Sequence, residues 1–496
     1  MLHLESGQGG KKDFHKIIIL GIILLIASCA EEHSNPNRNL TIEAFSRLKT
    51  PQYVLNLAKI DKALDRLAAN DKDSMLADSR TRAYYKEGGR LVWLTLLGPS
   101  VQADTLVAAL GRDIAVMGFS ERAFRKDEIE RDLQRLRTLE LGEENINDVA
   151  ARLEYNLTKS YLRYVIGQRF GYTNPYWVLN RFTPTATDST GKALGYQRLF
   201  DVNVERPSKR FHLVALQKVS NDSLSEYFRE IAPKDSFYHR LLGELKTGQW
   251  NRHRLLVNME RRRWRTSHPR QGGKYVIVNV PSYHLTACSP DTSFVLKIGC
   301  GALKTKTPLL TSAINRIDLN PNWIIPMSIV KKDIAPHAGN ASYFSRRNYF
   351  ITDRNTGVQV DVGYATRADL ESGRYRVQQA GGNGNSLGNI VFRFPNNFSV
   401  YLHDTSSRGV FSREDRSVSH GCVRVEHPFT LAQFLLGKPN DWKPDTLKSN
   451  ISVSPSVPLF ITYYTIYPDS IGNLHGYPDI YGYDAAIERE LKSYLP

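Results

Sequence analysis

Apolar residues recur at helical spacing in the first part of the chain and change to alternation beyond Lys274. Tyr53, Leu57, Ile60, Leu64 and Leu67 fall on one face of a 3.6-residue period, as do Ile129, Leu133 and Leu136, with charges opposite. Ile146, Val149, Leu153, Leu157 and Tyr164 predict a third, longer helix. Breaks are expected at Gly98-Pro99, from Gly171 to Pro175, and from Pro184 to Gly191. Residues 233–250, with Tyr238, Leu241, Leu242 and Leu245, read as one more helix. Strands are then predicted over 275–280, 284–288 and 293–298, with a turn at Ser289-Pro290-Asp291-Thr292. Val400-Tyr401-Leu402 and 423–425 read as strands, 428–436 as a short helix and 457–465 as a closing strand. The pattern gives an α+β chain: a mostly helical N-terminal region and a β-rich C-terminal domain.

This divides the chain into a leader (1–29), a polar tether (30–40), a helical region (41–215), a connecting region (216–272) and a β-rich domain (273–485). In the leader, Lys11, Lys12 and Lys16 precede an apolar run from Ile17 to Ala27. That run is too short to span a bilayer core of ~30 Å but fits an export signal. It ends Ile26-Ala27-Ser28-Cys29, which resembles the lipobox of bacterial lipoproteins; lipidation of Cys29 is the expectation, an ordinary cleaved signal the alternative. The net charge of +16 then suits an exported, membrane-anchored protein near anionic cell-wall or lipid surfaces. No zinc-finger spacing or RNP-like strand supports nucleic acid. Arg261-Arg262-Arg263, with Arg265 and Arg270, reads as a solvated face or a wall-facing patch. Cys288 and Cys300 invite a disulfide in an exported protein. In the predicted hairpin, however, Cys288 faces Ser293 and Cys300 lies seven residues further on, ~23 Å away at ~3.3 Å per residue, so two free, buried thiols are expected.

Candidate chemistry concentrates in Ser419-His420-Gly421-Cys422-Val423-Arg424, with His403 19 positions before the cysteine. A thiol of pKa ~8.5 is only slightly ionised at neutral pH and needs a base, which an imidazole supplies. Gly421 allows close approach of a substrate carbonyl, and the amides around Gly421 and Cys422 are oxyanion donors worth on the order of 3 kcal/mol each. Arg424 either clamps a carboxylate or makes a structural ion pair with Glu426 or Asp415. His403, Asp404, His420, Cys422 and His427 include good zinc ligands, which keeps a metal-binding protein as a competing class.

His403 followed after 15 residues by Ser-His-Gly-Cys resembles the signature of L,D-transpeptidases with a YkuD-like catalytic domain, of the large type that carries a helical scaffold. Asn258-Met259-Glu260-Arg261 with Trp264 is similar to the segment leading into that domain. Asn320-Pro321-Asn322-Trp323, Pro326-Met327-Ser328-Ile329, Asn385-Ser386-Leu387-Gly388, Phe394-Pro395-Asn396 and the tail from Val457 to Tyr481 fit as well. The peptidoglycan-binding module that large relatives often insert in the connecting region is not recognisable here.

The resemblance implies Cys422 as nucleophile and His403 as proton acceptor and donor, oriented by the Asp404 backbone carbonyl. His420 is then a structural or oxyanion-side residue. Ser419, Gly421, Asp404 and Arg424 support the site, and Tyr401, Trp323 and Asn385 lie on the substrate side. A lid is implied at about 327–375, a surface excursion being the plain alternative. The implied substrates are peptidoglycan stem peptides, with no metal or organic cofactor, and carbapenem-type β-lactams are expected to acylate the thiol. A hydrolytic cysteine peptidase or amidase using the same pair is the competing enzyme class.

Overall fold

The computed structural model describes residues 53–95, 98–266, 273–382, 384–444, 450–469 and 471–496. The leader, the tether and Cys29 lie outside the described residues. No helix among the described residues is long and apolar enough to cross a membrane.

The described residues form two compact units, one within 53–166, 208–231 and 496, the other within 167–207 and 232–495. In the first, helices α1 (Leu57–Asn70), α2 (Leu76–Lys86), α3 (Val101–Val116) and α4 (Lys126–Thr138) lead into α5 (Ile146–Phe170). Val149, Leu153 and Leu157 of α5 are fully buried, as their spacing requires. Leu57 of the first predicted stripe is instead 53% exposed, one turn outside the packed part of α1. Two buried cations of this unit are paired: Lys159 Nζ is 2.7 Å from Asp71 and Arg163 Nε 2.8 Å from Asp78. α6 (Phe211–Ser220) and α7 (Leu224–Ile231) complete it.

The helical expectation for 41–215 fails at 184–201. There a hairpin pairs Pro184–Thr187 with Ala193–Tyr196, and β1 (Phe200–Asp201) joins the main sheet of the second unit. A two-residue strand is too short to leave a period in the sequence.

The second unit is built on a ten-stranded sheet. Its strands are β1, β2 (Tyr275–Asn279), β3 (His284–Cys288), β4 (Ser293–Gly301), β5 (Leu309–Leu319), β10 (Ile390–Arg393), β11 (Leu402–His403), β12 (Ser417–Ser419), β13 (Val423–Val425) and β14 (Asn450–Thr462). The order is β10-β11-β13-β4-β3-β2-β14-β5-β1, and an extra β10–β5 pairing closes the sheet on itself. Inside lie Val276, Val278, Leu285, Ile298, Phe392, Leu402, Val425, Leu459 and Ile461, all buried.

The β2–β3–β4 meander has the predicted register, with Cys288 opposite Ser293. Both thiols are free, but only Cys300 is buried; Cys288 sits half-exposed at the hairpin end, which corrects that part of the expectation.

Between β5 and β10 the chain makes a separate four-stranded sheet, β6 (Trp323-Ile324), β7 (Tyr349–Asp353), β8 (Gln359-Val360) and β9 (Tyr375–Gln379), in the order β6-β9-β7-β8. Ile325, Val330, Ile334, Phe344, Ile351, Leu370 and Val377 give it its own core. The segment expected as a lid is thus a folded piece rather than a loose loop.

Helix α8 (Ser236–Thr247) matches the predicted helix, and α9 (Arg252–Arg263) follows it. Arg261, Arg262 and Arg263 at the end of α9 are not a solvated face; Arg270 lies outside the described residues. Arg261 is 6% and Arg263 1% exposed. Arg261 pairs with Asp484 at 2.6 Å, Arg262 grips Asp235 through Nε and Nη2 at 2.8 and 2.7 Å, and Arg263 donates to Tyr238 Oη at 2.8 Å. Asn258 accepts from the Thr465 amide and Glu260 from the Thr173 amide, so the helix fastens three separate stretches of chain.

Candidate active site

Alternation along two short strands sets the site. Leu402 and Val423, paired across β11 and β13, point into the barrel. Side chains alternate across a sheet, so His403 and its partner Arg424 point outward. One residue back, the Val423 amide donates to the Tyr401 carbonyl at 2.9 Å, which brings Cys422 beside Tyr401. Tyr401, His403, Cys422 and Arg424 therefore share the outer face. Four residues separated in the sequence meet there because the two strands run parallel.

The turn into Cys422 is templated from below. Gly421 has φ +115°, a conformation that favours glycine. Ser419 Oγ donates to the Cys422 carbonyl at 2.6 Å and accepts the Gly421 amide at 3.1 Å. Thr305 Oγ1 donates to the Ser419 carbonyl at 2.8 Å and Thr307 Oγ1 to the Gly421 carbonyl at 2.9 Å. The Gly421 amide is thus committed to Ser419, so of the two amides expected to hold an oxyanion the Cys422 amide is the one left.

His403 is 4% exposed, and its Nδ1 meets the Asp404 carbonyl. A carbonyl only accepts, so Nδ1 carries the hydrogen and Nε2 is the basic nitrogen. The Asp404 carboxylate is fixed by the Thr405 amide at 2.7 Å, the Asn389 amide at 2.9 Å and Arg408 Nη2 at 2.6 Å. A Cβ on Gly388 would lie 2.3 Å from Asp404 Cγ, so glycine is needed for Asp404 to reach this position.

Burial lowers the imidazole to about 4, helped by the positive charges of Arg424 and Arg393 and opposed by the Asp404 and Leu387 carbonyls. Burial raises the Cys422 thiol, against the pull of the Tyr401 backbone, Arg393 and Arg424. The resting pair at neutral pH is a thiol and a neutral imidazole. No hydrogen bond joins them among the described residues.

The other expected residues are placed as follows. Ser419 is buried and His420 exposed. Arg424 Nε is enclosed without a hydrogen-bond partner. Its two candidate ion-pair partners are engaged elsewhere: Glu426 lies 3.6 Å from Lys297, and Asp415 accepts from Tyr283 and Ser417. Trp323 packs against the core of the small sheet. Asn385 corrects the substrate-side expectation: it is 0% exposed, and its amide donates to the Ala380 carbonyl at 2.8 Å and accepts the Leu387 amide at 2.7 Å. It fastens the turn before β10. Among the described residues no three His, Cys, Asp or Glu side chains gather as a metal site.

Sequence reasoning missed Arg393 and Asp318. Arg393 stands over the Tyr401 ring, 4.1 Å from its centre, with Nε 2.7 Å from Asp318. An arginine inside the apolar run from Ile390 to Phe394 was the available signal.

Residues 273–450 match YkuD, the L,D-transpeptidase catalytic domain, and residues 78–245 match the Scaffold domain. The chain thus carries an L,D-transpeptidase catalytic domain together with a Scaffold domain. It is similar to a Haemophilus influenzae protein named "Putative L,D-transpeptidase", 32% identical over 288 residues, which covers 55% of this chain and 58% of that relative. The match therefore spans little more than half the length of the relative. An L,D-transpeptidase structure from Mycobacterium smegmatis matches at 13% identity over 38% of this chain and 58% of its own, with a TM-score of 0.20, an overlap on which no argument rests.

Proposed function

We propose that this protein is a peptidoglycan L,D-transpeptidase. The observation that carries the reading is the shared face of Tyr401, His403, Cys422 and Arg424, with His403 Nδ1 tied to the Asp404 carbonyl so that Nε2 is the base. Cys422 Sγ attacks the carbonyl joining the third, diamino-acid residue of a donor tetrapeptide stem to its terminal D-Ala. His403 Nε2 takes the thiol proton. The tetrahedral oxyanion forms beside the Cys422 amide and collapses; the C–N bond breaks, and His403 returns the proton to the departing amine. The side-chain amine of a second stem then opens the thioester, giving a 3→3 cross-link and restoring the thiol.

Arg424, whose Nε has no partner, holds a stem carboxylate. The small sheet acts as the lid that excludes water from the thioester. The protein works in the cell envelope, exported and lipid-anchored through Cys29, and carbapenem-type β-lactams acylate Cys422. Each step uses only groups of this chain and its substrates.

Mass spectrometry of products from tetrapeptide muropeptides, with wild type beside Cys422→Ala, tests the reading. Cross-linked dimers lacking one terminal D-Ala, absent with Cys422→Ala, are expected. Tripeptide monomers alone would reassign the protein as an L,D-carboxypeptidase, and no change with either protein would remove the assigned substrate.

A further inference from the structure

We propose that Arg393, held by Asp318 and stacked on Tyr401, is an anion anchor beside the thiol that takes the terminal carboxylate of the departing residue of the donor. This rests on the reading that the donor is a stem peptide cut one residue from its C-terminus.

The sheet register puts Arg393 in the same transverse row as the nucleophile. On β10, Arg393 pairs with Arg316 of β5 on one side. On the other side the β10–β11 pairing, Val391 with His403 and Phe392 with Leu402, leads next to Arg393 and Tyr401. Tyr401 is the neighbour of Cys422, so the row reads Arg316, Arg393, Tyr401, Cys422. Strands lie ~4.8 Å apart, which sets the Arg393 and Cys422 backbones roughly 10 Å apart. The guanidinium lies over the ring between them and shortens that gap.

The way Arg393 is held leaves its working end free. Only Nε is engaged, with Asp318 Oδ2 at 2.7 Å. Nη1 and Nη2 have no hydrogen-bond partner among the described residues, and the side chain is 24% exposed. Those two nitrogens form the end-on fork that matches a carboxylate. Asp318 does not cancel the charge, because it also pairs with Arg316 at 2.8 Å, so two guanidinium groups share one carboxylate. The positive charge is felt at the site: Arg393 lowers the proton affinity of both Cys422 and His403.

The donor anion closest to the attacked carbonyl is the carboxylate of the leaving residue, within one residue repeat of ~3.8 Å. A cation in the thiol's own row is the group placed to read it. The enzyme then prefers donors that end in a free acid.

Two measurements on wild type, Arg393→Leu and Arg393→Lys decide this. The first is kcat/KM for tetrapeptide muropeptides whose terminal D-Ala is a free acid or an amide. The second is the rate at which iodoacetate and iodoacetamide alkylate Cys422, read by intact mass. Wild type is expected to favour the acid donor and to show a higher iodoacetate-to-iodoacetamide ratio than Arg393→Leu. In Arg393→Leu, the ratio of kcat/KM for the acid donor to that for the amide donor falls about tenfold or more, mainly through the KM of the acid donor. Arg393→Lys, which keeps the charge and loses the fork, falls between. Loss of the Arg393 charge also acts on the thiol itself, but it moves both probes and both donors together and cancels in the ratios.

The same acid preference and the same probe ratio in Arg393→Leu as in wild type would overturn the proposal. If wild type turns over neither donor, the probes still decide. A ratio that depends on Arg393 supports the anchor while removing the assigned donor; a ratio that does not removes the anchor itself.

Discussion

Helix α9 and the outer face around Cys422 both enclose charge, and they differ in its ionic partners: Arg261 lies against Asp484 although its Nη1 and Nη2 make no hydrogen bond, whereas Arg424 has no ion pair among the described residues. On α9, Arg261, Arg262 and Arg263 each face a carboxylate or a tyrosine hydroxyl, and Asn258 and Glu260 close hydrogen bonds to backbone amides. On the site face, Arg424 Nε has no partner, Arg393 is tied by one nitrogen, and burial moves His403 and Cys422 away from their charged forms. Enclosing a charge without a partner costs free energy. Paired charge on α9 holds distant segments together; the charge around Cys422 has fewer ionic partners, which is what the proposed carboxylate binding builds on.

The sharpest way to break this contrast is at Glu260. Glu260→Ala should destabilise the protein by about 3–5 kcal/mol in urea unfolding, because it removes the buried carboxylate 3.5 Å from Arg263 Nη1 and takes the acceptor from the Thr173 amide. A loss below 1 kcal/mol would mean that the α9 pairs hold nothing.

The next effect concerns pH. His403 titrates at about 4 in the fold and near 6.5 when unfolded. Between those values the unfolded chain binds the extra proton, so stability falls as pH drops from 6.5 to 4, by roughly 3 kcal/mol from this residue. The decline should be smaller by that amount in His403→Gln across the same range, and equal slopes for the two proteins would contradict the buried, neutral imidazole.

The smallest stability effect is expected at Arg424. Arg424→Met should change unfolding free energy by less than about 1 kcal/mol, since no ion pair is lost, while acylation by a carboxylate-bearing donor slows. A large destabilisation would place Arg424 with the structural arginines of α9.

Much of this was legible along the chain. The meander of β2, β3 and β4, the helices α4 and α5, and the helix Pro428–Leu436 follow from local periodicity, turn residues and proline placement. The joint reading of Cys422 and His403 came from the signature spacing, and the structure sets their strands side by side. The failures share one cause. Arg261-Arg262-Arg263 looks like any basic surface run until α8 and the tail supply its partners, Tyr238, Asp235 and Asp484. Asn385 resembles a binding residue until the turn before β10 closes over it. Phe200-Asp201 has no period of its own, yet it extends the main sheet.

The sequence by itself determined the fold class, the boundary near Lys274 where the apolar period changes, and the spacing of His403 and Cys422 on which the proposed function rests. These depend on spacing within a few residues, where side-chain direction follows from the backbone period. Only the tertiary structure decided which charges are paired, which amide is free to hold an oxyanion, and that Arg393 stands in the row of Cys422. Those are properties of contacts between strands and helices far apart in the chain. Burial and pairing are set by what arrives from elsewhere, and no local pattern encodes it.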